Sequence, residues 1–197
     1  MIENFIYQCY YVSVKKIDKP EFVKAASMNE YVWLFPVIFM FHDMEEIIGF
    51  GIWLKNNKEI LSEKYPAILQ TYKDFSTEGF ALAVFEELVL CIAFCMLALF
   101  LNIQAFWYLW LGGFIACTLH FVIHIGQAAI MKQYIPAVIT SVICLPISVW
   151  IIYKCFLTIE SAWWYVGIFI VAGILIVAIN LKFAQKMIGW FTRKNII

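Results

Sequence analysis

Four titratable side chains fall within five residues, at His42-Asp43-Met44-Glu45-Glu46. They interrupt a run from Tyr31 to Leu54 that is otherwise apolar and long enough to cross a bilayer. An ionisable group at the centre of a membrane helix costs roughly 3 kcal/mol on insertion scales, so such groups mark function or find partners. His42 and Glu45, three apart, share a helix face and can hold one ion from one helix. Carboxylate-bridged metal bundles use this spacing in reverse, as Glu-x-x-His. His with Glu suits zinc, iron or manganese. A Glu beside the ion can accept a proton from water, the role open to Glu46, which is otherwise a ligand. Asp43 suits a supporting position behind a ligating imidazole.

The remaining buried polar groups lie on later apolar segments. Glu86 and Glu87 are the charges within about 80–101. His120, His124 and Gln127 lie within about 105–131. Helical rise compares their depths. Measured from Leu54, Glu46 is about 12 Å deep and His42 about 18 Å. Glu86 and Glu87 enter from the same side, roughly 9–11 Å deep. Measured from Met131, His124 is about 10 Å deep and His120 about 16 Å. Three helices thus bring their ionisable groups to one slab. The candidate ligands are His42, Glu45, Glu46, Glu86, Glu87, His120 and His124, with Asp43, Gln127 and Tyr134 in support. The preferred set is His42, Glu45, one of Glu86 and Glu87, and His124. The plainer alternatives are paired or neutral glutamates in a polar bundle core, and a His120 bonded to a backbone carbonyl. Cys91 and Cys95 are better read as packing residues than as soft ligands.

These groups must be positioned by membrane helices. The 197 residues are 64% hydrophobic and 14% charged, well below the charge of soluble domains. The reading is an all-α polytopic bundle, one domain over 1–197, with spans at about 31–54, 80–101, 105–131, 135–153 and 162–181. Residues 1–27, 55–78 and the tail after 181 have amphipathic spacing and are expected at the membrane surface. Pro136 is expected to open the fourth span. Lysines at 15, 16, 19, 24 and 154 are outnumbered by Lys55, Lys58, Lys64, Lys73, Lys132, Lys182, Lys186, Arg193 and Lys194 on the other side. That bias puts the N-terminus outside and the C-terminus in the cytoplasm. Net charge is zero and no nucleic-acid motif occurs, so nucleic acid is excluded as a partner class. The six Cys have no CxxC pairing and read as reduced thiols. A cleavable signal peptide is not expected.

His42-Asp43-Met44-Glu45-Glu46, the later His124 in His124-Ile125-Gly126-Gln127, and Tyr134-Ile135-Pro136 resemble the HXXEE-domain family of bacterial membrane proteins. Ala137 stands where that family's Tyr-x-Pro-Gly motif has Gly. The resemblance covers roughly the first four spans. It implies a bacterial cytoplasmic membrane setting, with His42, Glu45, Glu46 and His124 acting together. It supplies no reaction.

The functional expectation is a metal site near the cytoplasmic side, holding a divalent transition metal, zinc before iron or manganese. A hydrolase acting on a lipid-like, peptide or other small-molecule substrate in the bilayer leads. A di-iron oxidase or desaturase-like enzyme, a proton- or metal-coupled carrier, and a non-catalytic immunity or interaction role are the alternatives.

Overall fold

A computed structural model describes residues 29–101 and 103–195. The expected surface helix over 1–27, Cys9 and Asn102 lie outside the described residues. From Leu34 onward among the described residues, the helices follow in order: α1 Leu34–Asn56, α2 Lys58–Lys64, α3 Pro66–Thr71, α4 Thr77–Phe100, α5 Gln104–Met131, α6 Val138–Leu157 and α7 Trp163–Asn195. No strand occurs among the described residues. By length and composition, α4, α5, α6 and the α7 segment Trp163–Lys194 can each cross a membrane. α1 is 23 residues long and carries the acidic insert. Three of its ionisable groups turn inward: His42 is 1% exposed, Asp43 4% and Glu46 8%. Phe41, Met44, Ile48 and Ile52 turn outward.

The central helix is α5, which packs against α4, α6 and α7, while α1 packs against α4 and α6. α1 reaches α5 through long side chains. Phe35 meets Trp110 and Phe114, with ring centroids 6.3 and 5.5 Å apart. One turn or two further along, His42 meets His120 and His124. Between lipid-immersed helices, dispersion and close packing hold such contacts, because lipid tails remove the hydrophobic drive. The aromatic layer of Phe35, Phe94, Trp110 and Phe114 therefore sets the α1–α5 spacing above the polar layer.

α5 and α7 approach most closely at glycines. A Cβ on Gly112 would overlap the Ile170 backbone, and one on Gly173 would overlap the Leu109 carbonyl oxygen. Only glycine permits that crossing.

The ends have local causes. Ser76 caps α4, its hydroxyl accepting from the Gly79 amide at 3.1 Å. Pro66 divides the amphipathic connection by opening α3. Its face is buried through Leu61, beside Trp53 and Ile135. The expected break near 181 is absent. α7 runs on unbroken, since no proline or cap ends it, and its tail docks through Arg193 on Asp74 at 2.6 Å. Pro136 does not open α6 either. It precedes the N-cap residue Ala137, in a turn closed by the Val138 amide on the Ile135 carbonyl at 3.1 Å. Proline followed by a positive φ is the type II pattern, and Ala137 has φ 76°. The expected turn glycine is an alanine held in the left-handed region.

Candidate metal centre

α1 and α5 run parallel, Phe35 meeting Phe114 and His42 meeting His120 and His124, so residues one turn apart on each meet at one level. One ligand atom each from His42, Glu46, His120 and His124 lies within 4.8 Å of every other. His124 Nε2 is central. It lies 3.1 Å from Glu46 Oε1 and 2.9 Å from His120 Nε2. The i,i+4 spacing of His120 and His124 sets their rings edge to face on one helix face, centroids 4.4 Å apart.

The orientation of His42 follows from its neighbours. Its Nδ1 lies 3.3 Å from Thr140 Oγ1 and 3.5 Å from Ser141 Oγ. The Thr140 hydroxyl donates to Glu45 Oε2 at 2.7 Å. With its proton given to the carboxylate, the Thr140 oxygen accepts, so Nδ1 carries the imidazole proton. That leaves a lone pair on Nε2, which is buried and has no hydrogen-bond partner. A chain from carboxylate through hydroxyl to imidazole is the outer-sphere support that orients ligating histidines.

These donors fit a divalent transition ion. Three imidazoles and a carboxylate are a zinc, iron or manganese set. A single proton between His120 and His124 satisfies one contact, whereas a cation satisfies the lone pairs of all four groups together. A carboxylate at the group supplies compensating charge, without which a buried cation is costly.

Glu45 lies outside this group. Its carboxylate accepts from the Tyr134 hydroxyl at 2.7 Å, the Thr140 amide at 2.8 Å and the Ile139 amide at 3.4 Å. α6 has no side-chain cap of its own, so Glu45 supplies the anion its first-turn amides need. Glu86 also lies outside, accepting from Asn180 at 3.0 Å. Glu87 and Asp43 line the cavity beside the group. The expected hydrogen bond from Asp43 to a ligating imidazole is not formed. Thr140 and Ser141 take that place at His42, and Asp43 Oδ2 is buried without a partner. Gln127 lines the cavity, and Tyr134 supports Glu45 rather than the four-residue group.

The cavity has a volume of about 470 Å³. Glu46, His120 and His124 line its deep end, and Tyr65, Ile68 and Tyr72 of the α2–α3 connection line the other. Tyr72 is a site residue that the sequence concealed, because its spacing places it on an apolar face. Burial, and then the Glu46 and Glu87 carboxylates, push its phenol up to about 12, so it stands in the cavity as a neutral donor. Thr140 and Ser141 carried no signal beyond lying just after Tyr134-Ile135-Pro136. The described cysteines are all free thiols, and Cys91 and Cys95 pack in the core.

A family model described as a protein of unknown function with HXXEE motif matches residues 33–151. The chain belongs to the HXXEE family. The motif histidine and its last glutamate are thus the His42 and Glu46 of the four-residue group. The other motif glutamate is Glu45, bound to the α6 start. The match runs from the start of α1 through most of α6 and leaves out α7, which supplies Ala184 and Ile188 to the cavity wall. No curated protein and no solved structure matches the chain.

Proposed function

We propose that this HXXEE protein is an intramembrane metal-dependent hydrolase, acting on a lipid-like or peptide substrate near the cytoplasmic face. The observation that carries the reading is the convergence of His42, Glu46, His120 and His124, the last three lining the end of a cavity of about 470 Å³. His42, His120 and His124 would hold the ion, zinc by preference. Such an ion polarises a carbonyl and makes a water acidic enough to attack at neutral pH. Glu46 is both near His124 and part of the cavity lining, so it is poised to take the water's proton and return it to the leaving group. The Tyr72 phenol can donate a hydrogen bond to a substrate oxygen. α1 would be a fifth span, since its outward face is apolar and His42, Asp43 and Glu46 face the bundle.

Two observations weigh against a di-iron centre. Glu45 is taken up by the α6 start and Glu86 by Asn180, which removes carboxylates a second ion would need. A carrier would use the same groups without turnover.

Elemental analysis of protein purified without chelator tests the reading. About one zinc per chain is expected, falling at least tenfold in His42→Ala. Folded wild type without a transition metal would overturn it.

A further inference from the structure

A second, smaller cavity of about 240 Å³ lies on the far side of the polar layer. It shares Asp43, Glu87, His120, Ile123 and Leu181 with the larger one. Beyond those residues its wall is nearly all apolar. It reaches Phe35 on α1 and Phe94 on α4. Asp43 to Phe35 is eight helical residues, roughly 12 Å along the membrane normal. The two spaces therefore abut at these five residues, polar where they meet and apolar at the end away from α2 and α3.

Beside the residues that the two spaces share, the smaller one is flanked by side chains exposed on the outside of the bundle. Gly112 and Gly173 pin α5 to α7 near one end of their contact. On the α2–α3 side of that crossing, Leu119 and Ile123 of α5 and Ile174 and Ala178 of α7 line the same cavity. Leu119 is 50% exposed and Ile123 54%, and in a bilayer that exposure is to acyl chains. A water-soluble substrate has no use for this arm. A helical peptide would first have to unwind, because backbone polar groups in hydrocarbon need partners and this arm offers almost none.

Resting on the hydrolase reading, we propose that the substrate is a single-chain amphiphile that enters sideways from the bilayer between α5 and α7. Its chain lies along Phe39, Leu90 and Phe94, and its polar head lies beside His120, His124 and Glu46. Asp43 and Glu87 flank the junction of chain and head. Phe35 and Phe94, whose rings stack 6.5 Å apart, close the far end and limit chain length.

The test uses full-length protein in phosphatidylcholine nanodiscs with a diazirine-bearing fatty acid as probe. After irradiation, label is expected on Leu90, Phe94 and Leu119. Ala116→Phe and Leu90→Trp, which fill the arm from two helices, should each lower that labelling at least tenfold while keeping wild-type melting and metal content. Unlabelled competitors of graded length should show Ala116→Phe favouring shorter chains, a shift that misfolding would not produce. Label spread evenly over the lipid-facing belt and unchanged by both variants overturns the proposal. So does displacement by an apolar peptide but not by fatty acids. Pocket labelling in protein that holds no metal would leave the chain site standing and remove the hydrolase reading. Metal without pocket labelling would do the reverse.

Discussion

Glu45 and Glu46 are adjacent in sequence and belong to two different regions. At the seam of α1 with α6, the Glu45 carboxylate has donors from Tyr134, Ile139 and Thr140, and its demand is met. At the seam of α1 with α5, Glu46 faces histidine nitrogens, with the orphaned His42 Nε2 in the same group. The first region is complete as protein. The second leaves His42 Nε2 buried without a hydrogen-bond partner, in a group that could hold an ion. Thr140 joins them, because its hydroxyl donates to Glu45 and accepts from His42. A satisfied carboxylate thus fixes the geometry, and an unsatisfied cluster beside it does the proposed chemistry.

Exchanging each glutamate for its amide separates the regions most sharply. Glu46→Gln should slow hydrolysis of a single-chain ester amphiphile by about 10²–10⁴, the usual worth of a general base. Equal rates in Glu46→Gln and wild type would break the comparison. Next in size is Thr140→Val, which cuts the link while leaving the Glu45 contact to the Thr140 amide. Loss of outer-sphere support should weaken metal affinity by about 10–100-fold, read by chelator competition. An unchanged affinity would mean that His42 needs no such orientation.

Glu45→Gln should act on the fold rather than on the rate. Weakening hydrogen bonds to a charged acceptor costs about 1–3 kcal/mol, to be read as a lower melting temperature with turnover within a few-fold. The same variant has a spectroscopic signature. Burial of the hydroxyl, then the hydrogen bond to Glu45 and its charge, push the Tyr134 phenol up to about 12. Removing the negative charge makes the phenolate easier to form, so the Tyr134 pKa should fall toward the ordinary tyrosine value. Ultraviolet difference titration against Tyr134→Phe reports it, and an unmoved pKa would deny the contact. The smallest effect is Ala137→Gly. Left-handed backbone costs an L-residue about 1–2 kcal/mol, which glycine relieves. Glycine also gives the unfolded chain about 0.4–1 kcal/mol more conformational entropy. Ala137 is fully buried, so losing its methyl costs about 0.8 kcal/mol as well. The terms nearly cancel, and a net change within about 1 kcal/mol of zero is expected by denaturant melting; a larger loss would deny the relief of left-handed strain.

Much of this was legible in the chain. Depth counting along successive spans placed His42, Glu46, His120 and His124 in one slab, because rise per residue is fixed once a segment is helical. It could not separate Glu45 from Glu46. Adjacent helical residues differ by about 100° around the axis, and depth carries no azimuth. Preferring Glu45 to His120 as a ligand followed from the i,i+3 rule within one helix. The α6 start decided otherwise, by presenting bare amides to that face of α1. Tyr72 was illegible for a related reason. An amphipathic face looks the same whether it meets lipid or folds back over a cavity.

By itself, the sequence determined that the chain is helical, belongs in a membrane and carries an expensive polar layer. Composition, helical period and the cost of burying charge fix those outcomes locally. Only the tertiary structure decided which polar groups meet. It also decided which carboxylate is consumed in holding α6, and that the polar layer opens on one side to a tyrosine-lined cavity and on the other to an apolar arm. Those outcomes depend on the rotation of each helix about its axis and on the glycine crossing of α5 with α7, which packing between distant residues sets.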